Sequence, residues 1–182
     1  MHYSTPQISE LFPDIMSIRD AGLRDKVAAV WSEALETGGG GWTFHEIRAI
    51  PFTLLAGKID LRFVEHLNSC VKQCIAIEKV LKDTFGDRIP INHDFLVAGA
   101  LLADVGKMLE FDKGPKGDVI KGRFGEMVRH PFSGVALCYK HGIPPEVMHI
   151  VATHSHEGDK ADRTIESIIF HHADFTDFEL VK

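Results

Sequence analysis

The stretch FLVAGALLADVGK, residues 95–107, decides the fold. Phe95 to Ala103 is apolar at every position, and Asn92, three residues upstream, is suited to cap a helix N-terminus. A helix that is apolar on all sides has no face for water, so it belongs in the centre of a folded unit. The run is far too short to cross a bilayer. It ends in Asp104, followed by Gly106 and Lys107. A carboxylate at the end of a buried helix is costly unless a cation or a hydrogen-bond donor meets it. Lys107, an arginine or solvent could meet that need, so Asp104 alone does not define a site.

Outward from this helix, the chain reads as helix after helix. Asp60 is expected to cap a long upstream helix to about Phe85, with Phe63, His66, Cys70, Cys74, Ile77 and Leu81 recurring at steps of three and four and Gly86 as its stop. Further upstream, Asp20 is expected to cap a helix to about Glu36 whose inner face carries Leu23, Val27, Val30, Trp31 and Leu35. Gly38 to Gly41 reads as a flexible joint, and Pro51 and Gly57 interrupt the segment that follows. Downstream, residues 111–130 are rich in glycine and charge and read as a loop with a short hairpin. Pro131 sits well at the first position of a helix that stops near Gly142. Pro145 opens another that ends at Gly158, and a last helix runs from about Thr164 to Leu180. No long strand pattern and no internal repeat is visible. The expectation is an all-α fold, with residues 1–58 as an N-terminal helical extension packed on a core formed by residues 59–182.

Composition narrows the partners. The chain has 182 residues, of which 45% are hydrophobic and 25% charged, with a formal net charge of −6. This suits one globular domain and gives no general electrostatic reason to expect a nucleic acid polymer or an anionic membrane as partner. The N-terminus lacks a basic region followed by an apolar segment, so no signal peptide is expected. Cys70, Cys74 and Cys138 are odd in number and form no close-set framework, which points to a reducing, cytoplasmic setting. Cys70 and Cys74, four apart on one helix, read as apolar packing in preference to a zinc pair.

Histidine is the anomaly, with eleven in the chain. Position separates them. His154 is four residues after Ile150 and seven after Val147, so it shares a core-facing stripe. His66 lies on the apolar stripe of the long helix, and His130 precedes the proline-started helix. His149 and His156 lie off the stripe and are expected to be exposed. Taken singly, each inward histidine is more simply a packed or capping residue. Three of them with a buried aspartate make a metal site, and carboxylate with imidazole suits Mn, Fe, Zn or Ni. Asp174, in the run His171-His172-Ala173-Asp174, shares a helix surface with Phe170 and Phe178; the plainer reading is an exposed acid beside Asp177 and Glu179.

Residues 97–107, VAGALLADVGK, resemble the signature helix of the HD-domain metal-dependent phosphohydrolase superfamily. That pattern is an apolar helix ending in His-Asp, then an apolar residue, Gly and Lys. The family's upstream histidine is matched by His66, its two downstream histidines by His130 and His154, and its closing aspartate by Asp174. The ordered set spans about residues 60–180. The resemblance implies an HD-domain-like helical bundle, with residues 59–182 as an HD-type metal-binding domain and a divalent cation held by His66, Asp104, His130, His154 and Asp174. One departure stands out: Ala103 occupies the place of the doublet's histidine, and Ser155 stands where some members carry a further histidine. One firmly held metal on Asp104, His130 and His154 is therefore expected. The second site, built on His66, Asp104 and Asp174, is expected to be weak, altered or absent, unless His45, His93 or His172 substitutes.

The resemblance further implies that Lys107 neutralises a substrate oxygen, although a lysine near a helix C-terminus is favourable without any such role. Residues 111–130 are the natural substrate lid. Their cations, Arg123 and Arg129 among them, would suit an anionic small molecule. No phosphate-cradling P-loop pattern is present. His156 and Glu157 are candidates for acid or base at the mouth of the site. The implied activity is that of a phosphomonoesterase or phosphodiesterase on a small anionic metabolite or nucleotide. The altered doublet keeps two other readings open. One is an HD-type enzyme opening or cleaving a small ketone or oxygenating at iron, and the other is a ligand-binding member without turnover. A homo-oligomer is compatible with all three.

Overall fold

The computed structural model describes residues 3–55 and 59–182. Ten α-helices are seen among them. In chain order they are α1 (Thr5–Ser9), α2 (Ala21–Thr37), α3 (Phe44–Ala49), α4 (Phe63–Phe85), α5 (His93–Leu102), α6 (Lys107–Glu110), α7 (Arg123–Met127), α8 (His130–Lys140), α9 (Pro145–Thr153) and α10 (Ile165–Val181). The only sheet among the described residues is a hairpin of β1 (Phe111–Lys113) and β2 (Val119–Lys121), antiparallel with Asp112 opposite Ile120. None of these helices is long and apolar enough to cross a membrane.

Helix α5 is the central element. Asn92 accepts a hydrogen bond from the Phe95 amide at 3.1 Å, and Leu96 through Leu102 are all buried. It packs against α2, α4, α9 and α10. Gly99 allows this closeness, because a Cβ there would lie 2.4 Å from the Ile150 Cδ1 atom of α9. The Trp31 indole of α2 donates to the Leu101 carbonyl at 3.1 Å, a buried bond that sets α2 across α5. Burial of each large aliphatic side chain along α5 contributes roughly 1.5–3 kcal/mol.

The N-terminal segments share this core. Ile8, Phe12, Ile15, Ile18 and Trp31 join α4 and α5 residues in one hydrophobic cluster. Gly57 and residue 58, the edge of the expected extension, lie outside the described residues.

Two local expectations change. Helix α4 starts at Phe63, because the Glu65 side chain reaches back to the Arg62 amide at 3.0 Å, while Asp60 pairs with the Arg62 guanidinium. The four-glycine stretch is a packed turn and not a free joint. A Cβ on Gly38 would meet the Met108 carbonyl oxygen at 1.9 Å, and the Trp42 indole donates to that same oxygen at 3.0 Å. Gly39, Gly40 and Gly41 all have positive φ, which side-chain-bearing residues rarely adopt.

Candidate metal centre

The turn after α5 places Asp104 where several helix ends converge. His130 opens α8, His154 follows the last residue of α9, and Lys107 opens α6. Helices α4 and α10 pack along each other and supply His66 and Asp174 from their facing sides. Gly106 makes the convergence sterically feasible: a Cβ there would lie 2.1 Å from the His130 carbonyl oxygen.

Asp104 is 1% exposed, and its two carboxylate oxygens face different partners. Oδ1 lies 3.3 Å from His130 Nε2 and 3.6 Å from His154 Nε2. Oδ2 lies 2.9 Å from Lys107 Nζ and 3.4 Å from His66 Nε2. Burial works against its ionisation, but Lys107, His154, His66 and His130 together hold its carboxyl well below the usual carboxylate range.

Each histidine is oriented by a group behind it. The His154 Nδ1 stands 2.8 Å from the Val151 carbonyl oxygen. A carbonyl only accepts, so Nδ1 carries the hydrogen. The His130 Nδ1 stands 2.9 Å from the Glu110 carboxylate. This leaves both Nε2 atoms, 3.2 Å apart, turned toward Asp104 Oδ1. Burial lowers the pKa of His130 despite Glu110. Burial is also the largest influence on His154 and would lower it, but the hydrogen bond and charge of Asp104, the charge of Asp174 and the Val151 carbonyl together raise it.

His66 meets three carboxylates. Its Nε2 lies 3.2 Å from Asp174 and 3.4 Å from Asp104, and its Nδ1 lies 3.1 Å from Asp177. Burial opposes its charging, yet these three hydrogen bonds hold its pKa well above the ordinary value. Phe52 stacks on the imidazole face and its carbonyl accepts from Lys107 Nζ at 3.2 Å.

These donors fit a divalent cation. Asp104, His130 and His154 offer ligand atoms all within 4.8 Å of one another, and so do His66, Asp104 and Asp174. A third group, His66, Cys70 and Asp177, meets the same spacing. Burial pushes the Cys70 thiol up to about 11, and its sulfur lies 3.6 Å from His66 Nδ1.

The structure thus brings together all five residues expected as ligands. Of the histidines weighed as substitutes beside Ala103, none joins these groups: His45 and His172 are exposed, and His93 bonds Glu78 at 2.6 Å. Lys107 lies inside the cluster. Arg129 lines the adjoining cavity and bonds both Glu110 and Glu157, at 3.3 and 3.1 Å. His156 is exposed at the cavity rim with Asp159 3.3 Å from its Nδ1. His149, expected outside, is half-buried. Arg123 is exposed and does not line that cavity. The reason is helical: Gly125 faces inward, where its Cβ would meet the Glu110 carbonyl at 2.3 Å, and Arg123 lies two residues, about 200°, around α7.

Three residues at the centre were not read from the sequence. Asp177, grouped there with exposed acids, is 5% exposed and holds His66; its spacing of i+3 from Asp174 was the available signal. Glu110 stands i+3 from Lys107 on a helix too short to show a stripe. Phe52 lies in a stretch with no periodic pattern.

The cavity beside the cluster has a volume of about 250 Å³. Phe52, Phe111, Phe175 and Phe178 form apolar wall, while Lys121 and Arg129 bring positive charge.

A mainly helical fold with a buried aspartate–histidine cluster defines a helical class with donors able to hold a metal. The family model described as "HD domain" matches residues 65–178, more than half of the chain, and the chain belongs to that family. A curated relative, the dihydroneopterin 2',3'-cyclic phosphate phosphodiesterase of Methanocaldococcus jannaschii, is 32% identical over 120 residues. The match covers 64% of this chain and 46% of the relative, so the chain aligns with less than half of that protein's length. No solved structure matches the chain.

Proposed function

We propose that this chain is a metal-dependent phosphohydrolase acting on a small phosphate ester, with one firmly held divalent cation on Asp104, His130 and His154. The observation that carries this reading is the division of Asp104, whose Oδ1 faces two histidine nitrogens while Oδ2 is paired with Lys107 and His66. The pairing of Oδ2 and the alanine at position 103 leave the His66, Asp104 and Asp174 group as the weaker site. A divalent cation, when bound, supplies Lewis acidity and lowers the pKa of water to about 7 in favourable sites.

The remaining work falls to side chains. Lys121 and Arg129 draw an anionic substrate to the mouth. The phenylalanine wall packs the organic part and excludes water around the ester. Lys107 places a positive charge beside Asp104 that offsets charge building up on the phosphoryl oxygens. Water oxygen bonds to phosphorus and releases a proton to solvent, the ester P–O bond breaks, and the departing oxygen takes a proton from His156 at the rim, which regains one from solvent. The relative's name, a cyclic phosphate phosphodiesterase, and the cations at the cavity support phosphate over the ketone and oxygenase readings. The buried, unpaired cysteines support a reducing, cytoplasmic setting, and the overall charge supports a small molecule over a nucleic acid polymer as partner.

The test is metal analysis of protein purified without chelator, followed by assays on generic phosphate monoesters and on 2',3'-cyclic nucleotides. Turnover that is lost with a chelator and restored by Mn2+ is expected. Protein that binds no divalent metal on titration would sink the reading, as would metal-loaded protein inert toward every phosphate ester.

A further inference from the structure

The two histidines facing Asp104 Oδ1 are held by different kinds of group. His154 is fixed by the Val151 backbone carbonyl, which no side-chain substitution removes. His130 is fixed by the Glu110 side chain, which accepts from both its ring Nδ1 and its backbone amide at 2.9 Å each. The second bond places a carboxylate on the N-terminus of α8, where the helix dipole favours negative charge. Glu110 is itself 5% exposed. The loop supports it: Arg129 and Lys121 lie 3.3 and 3.6 Å from Oε1, leaving Oε2 for His130. The Gly122 amide also donates to the Glu110 carbonyl at 2.9 Å, and Gly125 packs on the same oxygen. Glu110 therefore has little freedom to turn away.

We propose that Glu110 is a positioning residue for the metal centre, holding His130 in the Nδ1–H form with the Nε2 lone pair turned toward Asp104. This rests on the proposed cation site at Asp104, His130 and His154. A carboxylate behind a metal-binding imidazole fixes its tautomer and ring orientation and increases its basicity, and loss of such a partner typically weakens metal binding by about 10–100-fold. Glu110 does not touch the reacting atoms, so its effect reaches chemistry only through His130.

The test is calorimetric titration of the chelator-treated full chain with Mn2+ alone. Glu110→Gln and Glu110→Asp are expected to raise the Mn2+ Kd by about 10–100-fold. Gln keeps the size but loses the charge, and Asp keeps the charge but withdraws it from the ring. Glu46→Gln, which removes a carboxylate from the cap of α3, is expected to leave the Kd unchanged. Folded Glu110 variants that bind within twofold of the unaltered chain would overturn the inference. If neither variant folds, the unaltered metal-free chain still decides: nitrogen-15 shifts of neutral His130 are expected to show Nδ1–H, and an Nε2–H tautomer overturns the inference. Failure of the unaltered chain to bind Mn2+ would strike the proposed function instead, so the two failures are distinguishable.

Discussion

Phe52 lies flat on His66, with ring centroids 3.5 Å apart and planes inclined by 24°. A segment with no recognisable helical pattern thus covers one face of the aspartate–histidine cluster. Its backbone carbonyl also anchors Lys107, so one residue touches two members of the centre. Phe52→Ala removes a ring that is 3% exposed, and a loss of about 3–5 kcal/mol in stability is expected. Phe52→Leu keeps an apolar wall and loses only the stacking, worth about 0.5–1.5 kcal/mol. Urea unfolding of both variants checks the order; equal losses would mean that the stacked ring accounts for the whole effect and the apolar wall that leucine keeps contributes nothing.

Asp104 and His149 should respond in opposite ways. Asp104→Ala removes the carboxylate shared by both ligand groups built around it, and Mn2+ binding is expected to vanish in calorimetry. His149 is half-buried, accepts a long 3.4 Å bond from the Thr164 amide and belongs to no ligand group. His149→Ala is expected to leave the Kd within about twofold, the scatter typical of a site outside the ligand set. Comparable losses in the two variants would refute the assignment of the centre.

Position 103 tests the number of cations. Ala103→His supplies the imidazole that the family doublet carries there, and metal analysis is expected to rise from one ion per chain toward two. Ala103 is completely buried, so the larger side chain is also expected to cost about 1–3 kcal/mol of stability. Unchanged stoichiometry in a folded variant would show that the pairing of Asp104 with Lys107, and not the missing ligand, limits the second site.

The thiols provide a check on packing. Burial pushes Cys70 up to about 11 and Cys138 up to about 12, and raises Cys74 well above its ordinary value. The thiolate is the reactive form, so at pH 8 the folded protein is expected to show no fast reaction with a thiol reagent. All three should react after unfolding. One rapid equivalent in the folded protein would mean that a cysteine is open to solvent.

The sequence by itself determined the central helix, the caps at Asp20 and Asn92, and the ordered set of His66, Asp104, His130, His154 and Asp174. These are legible because periodicity and capping are local: a buried face repeats every three or four residues, and a cap is set by its own turn. Tertiary structure alone decided which partners lie behind those residues. Glu110 reaches His130 across 20 positions, and Asp177 reaches His66 across 111. Both are carboxylates on helices, a residue type that ordinarily faces water, and only the cost of burying charge without a partner explains why they meet imidazoles. Phe52 reaches the cluster because the chain folds back over it, which no local pattern encodes. Arg123 shows the reverse: its charge suited a substrate loop, but the close packing of Gly125 on Glu110 turns it away from the cavity.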